Sequence, residues 1–295
     1  MFGCFSGNYG HDEILRNYLK LPRWLKLNVV IQHGWYRALH ERDLYKPGIY
    51  LVWSERLAED VRNACAKKVF VLGAPFVLYR RKQGIERKVD AKGTVAFPQH
   101  SSPRFECKFD VDAYCNALSS LPEVYKPITI CLHHRDVDAW GAIFEEKGFT
   151  VTTAGEGRQA DQGFVKKFYE ILSSHKYATS NDVGSYLFYS VEMGVPFFIM
   201  GDEVSFHNKK TGSSHTVCNG EEVVNKVDLL FRSVGSQSIS DEQREFVVSE
   251  LGVNVGVSKG YLLSYLVFRF FFFELPMSLP RFLVYGFKRL FASFF

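Results

Sequence analysis

Residues 177–199 read YATSNDVGSYLFYSVEMGVPFFI, and this stretch decides the fold class. Tyr177–Thr179 is a short run of strand-forming composition. The polar turn Ser180-Asn181-Asp182-Val183-Gly184-Ser185 that follows suits the start of a helix, because small oxygen-bearing side chains satisfy the orphan N–H groups there. From Ser185 to Met193 the apolar residues Tyr186, Leu187, Phe188 and Val191 lie nearly all round, as in a helix covered on both sides. After it, Phe197–Met200 is again a short apolar run. Strand, turn, buried helix and strand together form the repeat of a parallel α/β sheet.

The same alternation runs outward from this stretch. Just before it, Ile128–Leu132 and Phe149–Thr153 read as strands around a helix over Asp138–Lys147 that packs Trp140, Ile143 and Phe144, and Gln162–Lys176 reads as a helix burying Phe164, Val165, Phe168, Ile171 and Leu172. Further back, short buried strands are expected at Val29–Ile31, Ile49–Val52, Val69–Leu72 and Thr94–Phe97. Helices are expected after Ser54, on Leu57, Val61, Ala64 and Cys65, and over Asp110–Leu121. The two prolines of LPEVYKP (121–127) mark a boundary, which divides the chain into a Rossmann-like lobe over 1–122, a second over 123–258 and a tail over 259–295.

Composition narrows the function classes. The 295 residues are 46% hydrophobic and 23% charged, so the chain can bury the cores of two lobes. The formal charge is +4, and residues 259–295 hold five bases and one acid (5 − 1 = +4), which leaves the two lobes neutral. A nucleic-acid binder carries its basic stripe on the folded domain, so nucleic acid is not an expected partner. The six cysteines have neither metal-ligand nor disulfide-framework spacing and the first residues lack a secretory pattern, so a cytoplasmic location is expected.

The tail differs from the rest. Ten of the 27 phenylalanines lie in it, and the charge-free run Gly260–Phe268 is well short of the ~20 residues that a membrane span needs. Broken apolar runs with aromatics and bases suit amphipathic helices lying on an anionic membrane surface, which places the chain peripherally on the inner face of the cell membrane.

In open parallel sheets the ligand lies beyond the carboxyl ends of the strands, so the polar residues after each strand are the candidate site. These are His33, then His100, Ser101, Ser102 and Arg104, then His133 and Arg135, then Glu156 and Arg158, and finally Ser180, Asn181, Gly184 and Ser185. The glycine and helix start of SNDVGS fit a phosphate, and the arginines fit an anionic substrate bidentately. His33, Glu156 and Glu192 are the candidates for acid–base chemistry. No acidic pair is placed to hold a divalent ion, so neither metal nor cofactor is expected.

Residues 126–202, above all YATSNDVGSYLFYSVEMGVPFFI, resemble the donor lobe of GT-B-type glycosyltransferases of bacterial surface-polysaccharide (capsule, O-antigen, lipopolysaccharide) assembly. The resemblance implies a GT-B-like pair of Rossmann-like lobes, with Ser180, Asn181, Gly184, Ser185, Glu192, Gly194 and Pro196 around a nucleotide-sugar donor. It further implies metal-independent transfer to a glycan or glycolipid acceptor. A nucleotide-sugar epimerase of related two-lobed fold, or a non-catalytic partner of a polysaccharide assembly, is the alternative.

Overall fold

Period-two alternation sends neighbouring residues of each strand into different cores, and this builds the layers. The computed structural model describes residues 8–37, 48–157, 162–202, 204–215, 221–232 and 237–275. In chain order the strands are β1 Val29–Ile31, β2 Ile49–Val52, β3 Val69–Val71, β4 Thr94–Ala96, β5 Phe105–Lys108, β6 Ile128–Leu132, β7 Thr150–Thr153, β8 Tyr177–Ser180, β9 Phe197–Ile199, β10 Ser205–Asn208 and β11 Ser214–His215. The helices are α1 His11–Leu19, α2 Glu55–Ala64, α3 Pro75–Gln83, α4 Val111–Ser119, α5 Val137–Glu146, α6 Gly163–Ser173, α7 Ser185–Glu192, α8 Glu221–Phe231, α9 Asp241–Leu251 and α10 Lys259–Arg269.

Two parallel sheets form, as the α/β reading expects. The first has the order β1-β2-β3, and the second has the order β7-β6-β4-β8-β9. In the first, Val29, Ile31, Leu51 and Phe70 pack with Leu15 and Leu19 of α1 and Leu262 and Leu266 of α10, while Val30, Tyr50, Val52 and Val71 pack under Leu57 and Val61 of α2. In the second, Ile130, Leu132 and Phe198 meet Tyr114 and Phe144 of α4 and α5. Val95, Phe97, Ala178 and Phe197 turn the other way, toward Phe168 of α6 and Phe188 of α7. That last core is shared between the lobes, because Trp53 and Phe76 lie in it.

The sheet pairing corrects the division at residue 122. β4 hydrogen-bonds to both β6 and β8, at the centre of the second sheet, so α3 links the lobes and the second begins at Thr94. A small antiparallel sheet, β11-β10-β5, is attached to the second lobe.

The chain then returns to the first lobe through α9. Its capping box, with Ser240 and Gln243 each bonding the other's backbone N–H, fixes its start. Gly252 ends it at φ 60, where an added Cβ would lie 1.7 Å from the Trp53 carbonyl oxygen, so both the left-handed turn and the close approach require glycine. Of the tail, α10 buries Leu262 and Leu266 on the first sheet, each contributing roughly 1.5–3 kcal/mol. A single π-helical turn, Phe270–Glu274, continues it. No helix among the described residues is long and apolar enough to cross a membrane. Residues 276–295 of the expected tail lie outside the described residues.

Candidate functional site

Numbered from β4, the second sheet has the strand order 3-2-1-4-5, so its topological switch point lies between β4 and β8. Crossovers leave these two strands toward opposite faces, and the loops beyond their carboxyl ends border a crevice. Asn181 joins the two loops: its Oδ1 accepts the Gln99 N–H at 2.7 Å, and Gln99 Nε2 donates to the Val183 carbonyl at 3.4 Å. Asn181 is buried, and its Nδ2 has no partner among the described residues. A buried donor left without a partner is uncommon in a finished core.

Imidazoles gather beside this point. His100 of the β4 loop stacks on His133 of the β6 loop, with centroids 4.2 Å apart and planes at 12°, and the His134 ring lies 4.3 Å from that of His133. His100 Nδ1 faces the Ser101 carbonyl at 3.0 Å and must donate to it, so in the neutral ring Nε2 is an acceptor. His133 Nδ1 accepts the Arg135 N–H at 3.3 Å, so its proton sits on Nε2. The stacked rings thus present one acceptor and one donor.

Burial, aided by the nearby imidazoles and Arg135, pushes the His133 pKa down to about 2. His134 is lowered by burial and by Arg135, with the carboxylate of Glu156 pulling the other way. Glu156 itself is exposed on the loop after β7, and Arg135 is exposed beside it on the loop after β6.

The amino terminus of the described chain closes one side. The Tyr9 ring lies 4.6 Å from Phe164 and edge-on to Phe76, and Gly157 leaves it room, since a Cβ there would sit 2.1 Å from the ring. Tyr9 also feels the Arg135 charge, which opposes the upward shift that burial gives its phenol. His11 is fully buried against Phe76, has no partner for either ring nitrogen among the described residues, and is held neutral by burial and by His33, its pKa lowered to about 3. The sequence reading missed both residues, because GNYGHDE looks like a polar helix cap.

The loop after β1 lies across the start of α7. Ser185 Oγ accepts the Trp35 N–H at 2.8 Å, and the Trp35 ring stacks on Phe188 with centroids 4.9 Å apart. Arg37 pairs with Asp182 at 3.1 Å. This cover is itself anchored: Trp35 Nε1 donates to Glu250 Oε2 at 2.6 Å, and Arg56 holds both Glu250 oxygens at 2.8 and 2.7 Å while donating to the carbonyls of Tyr36 and Arg37. Arg56 and Glu250 were also missed, since 194 residues separate two side chains that look like helix-surface charges.

Several expected site residues have other occupations. Glu192 is corrected outright as a catalytic candidate: its buried carboxylate is consumed by Arg80, at 2.9 and 2.7 Å, and by Arg81 at 3.1 Å, at the end of α7 away from the switch point. Ser101 is buried, its N–H donating to Asp136 and its hydroxyl accepting from Cys107 N. The Ser102 hydroxyl caps its own turn through Arg104 N and Phe105 N, and the Arg104 side chain is exposed there. The Ser180 hydroxyl donates to the Asp182 carbonyl. A Cβ on Gly184 would meet the Tyr186 ring, so protein and not ligand fills that space. His33 is half-buried and bonded to the Tyr36 hydroxyl. Arg158 lies outside the described residues. Among the described residues, no group of three or more His, Cys, Asp or Glu could hold a metal ion.

No family model matches the chain, and no curated protein matches it. Among solved structures it is similar to the S. aureus MnaA–UDP complex, at 11% identity and a TM-score of 0.41 over 88% of this chain and 78% of that one. It is also similar to a protein assigned as a UDP-N-acetylglucosamine 2-epimerase from Listeria monocytogenes, at 10% and 0.40 over 90% and 79%. A third is the UDP-GlcNAc 2-epimerase from Neisseria meningitidis bound to UDP-GlcNAc, at 12% and 0.39 over 87% and 80%. The expectation of glycosyl transfer is thereby corrected: two of these three structures are named for epimerisation, and the late-helix acid that the glycosyltransferase resemblance assigned to the donor is Glu192, already held by two arginines.

Proposed function

We propose that the chain is an enzyme acting on a nucleotide-activated sugar at the switch point between β4 and β8, and that it epimerises a carbon of that sugar. The observation that carries the reading is the convergence of His100, His133, His134 and Glu156 from three successive strand ends of a Rossmann-ordered sheet. Epimerisation needs one group to take a proton from carbon and another to return one to the opposite face, and neutral imidazole beside a carboxylate supplies both roles. The Arg135 guanidinium supplies the positive charge that a diphosphate needs, and Asn181 Nδ2 supplies an unspent donor. His134 and Glu156 are the proposed proton-transfer pair, and His133, with its proton fixed on Nε2, is a hydrogen-bond donor to the substrate.

The test is incubation with uridine, cytidine and guanosine diphosphate sugars in heavy water without any acceptor. The reading expects solvent deuterium in the recovered nucleotide sugar and a second diastereomer by NMR. Absence of both with every donor, together with no ligand-induced rise in melting temperature, would overturn it.

A further inference from the structure

The largest aromatic exposure among the described residues is a composite of two distant segments. The turn Lys20-Leu21-Pro22-Arg23-Trp24-Leu25-Lys26 buries Leu21 and Leu25 under the first sheet and turns Trp24 outward, 66% exposed. The Trp24 ring meets Phe270 edge-on at 6.2 Å. From there the face runs onto Phe268, Phe271, Phe272 and Phe273, which are 46–65% exposed although Leu262 and Leu266 of α10 are buried. Four adjacent phenylalanines left in water next to a tryptophan mark a surface that something covers.

The charge around this face identifies the cover. Lys20, Arg23, Lys26, Lys68 and Lys259 are all exposed. Lys68 lies over the Phe70 ring, which touches Tyr261 and Tyr265, and Lys259 lies over Tyr18. The acids nearby are already paired, Glu13 with Arg23 and the buried Glu274 with Arg269. Onward from the face, residues 276–295 add Arg281, Lys288, Arg289 and five more phenylalanines without one acid. Aromatics that prefer the headgroup level, ringed by bases that outnumber the acids, match an anionic bilayer surface, whereas a second copy would bring the same positive charge against itself.

We propose that Trp24 and the Phe268–Phe273 face of the tail dock together on the headgroup region of an anionic phospholipid bilayer. The face is discontinuous in sequence, so docking holds the first lobe rigidly against the surface and does not leave it tethered by a flexible tail.

The test is co-sedimentation of the full chain with vesicles of phosphatidylcholine alone or enriched in phosphatidylglycerol. Binding is expected to the enriched vesicles, to weaken as salt rises, and to blue-shift the Trp24 emission. Phe272→Ser with Phe273→Ser is expected to weaken binding by more than about tenfold, and Trp24→Ser by about tenfold. Lys20→Gln with Lys26→Gln should lose roughly tenfold on the enriched vesicles only. These side chains are exposed, so unchanged thermal melts are expected to accompany the losses. Failure to bind enriched vesicles overturns the proposal, as does unaltered binding of the Trp24→Ser chain. Self-association abolished by the phenylalanine substitutions would assign the face to a second copy and overturn it as well.

Discussion

Two loop clusters stand at the carboxyl ends of the second sheet, and they have opposite fates. The turn at 180–185 opens a helix with glycine and serine, yet it is covered by the loop after β1 and its side chains are engaged: Ser185 Oγ takes the Trp35 N–H, and Asp182 pairs with Arg37 and accepts the Val183 N–H. The loops after β4, β6 and β7 have no such signature, yet they hold the imidazoles and Glu156 at the crevice. A helix start is anion-binding only while its N–H groups face a ligand, and a loop of the protein lying across it takes that room. The difference teaches that the glycine and serine of a helix start do not mark a site by themselves, because another part of the chain can lie across them.

The most severe way to break this contrast is to release the cover. Arg56→Ala leaves the Glu250 carboxylate buried, with Trp35 Nε1 as its remaining donor among the described residues, and removes the donor to the carbonyls of Tyr36 and Arg37. Removing one partner of a buried pair costs about 3–5 kcal/mol, and the retained Trp35 bond sets the expectation near 3. Urea unfolding measures it. A second substitution, Glu250→Gln, should recover part of the loss by removing the unpaired charge, and a cost under about 1 kcal/mol for Arg56→Ala would show that the cover is not latched.

The imidazole side of the contrast is sharpened by pH. His11 has a folded pKa of about 3 and His133 of about 2, both below the ordinary 6.5, so the unfolded chain binds protons that the folded chain refuses. Their contribution is fully present above pH 6.5 and is lost as pH falls from there toward the folded values. Each such group costs about 1.4 kcal/mol per pH unit within that window. His11→Phe should flatten the slope by about one proton, and stability that does not change between pH 6.5 and 4.5 in the unmodified chain would contradict burial of both rings in the neutral form.

The sequence carried the layers well and the site unevenly, for physical reasons. Short buried strands such as Val29–Ile31 and Ile128–Leu132 are legible because both faces are covered and the run is apolar but for Thr129. Which sheet a strand joins is a long-range fact: Thr94–Ala96 looks like a fourth strand of the first lobe, and only its pairing with β6 and β8 moves it. α3 escaped notice because apolar Phe76-Val77-Leu78-Tyr79 gives way to Arg80-Arg81-Lys82 without helical alternation. Glu192 was visible as an acid late in α7, but its partners Arg80 and Arg81 are 112 and 111 residues away, and no local pattern announces them.

A gentler probe of the sealed turn is Ser185→Ala. It removes the acceptor of the Trp35 N–H while leaving the stack on Phe188 intact, so the expected cost is about 1 kcal/mol by chemical denaturation. If the turn is protein-filled, as its contacts indicate, nucleotide sugars should raise the melting temperature of the variant and of the unmodified chain equally. A ligand response lost with the hydroxyl would move the phosphate site back to the start of α7.

The smallest structural effect is expected at Glu156, where the functional effect should be largest. Its side chain is exposed after β7, so Glu156→Gln should alter stability by less than about 0.5 kcal/mol. The substitution keeps shape and removes charge, and with it the stronger of the two carboxylates, Glu156 and Asp136, that pull the His134 pKa upward against burial and Arg135. If the pair moves protons, deuterium uptake into the sugar should fall on the order of a hundredfold while ligand-induced stabilisation stays, because general acid–base groups contribute that much to rate and little to affinity. His134→Gln should then behave alike, and the double variant should lose no more than either alone, as residues acting as one unit do. Additive losses would separate Glu156 from His134 and leave the open loops with a binding role only.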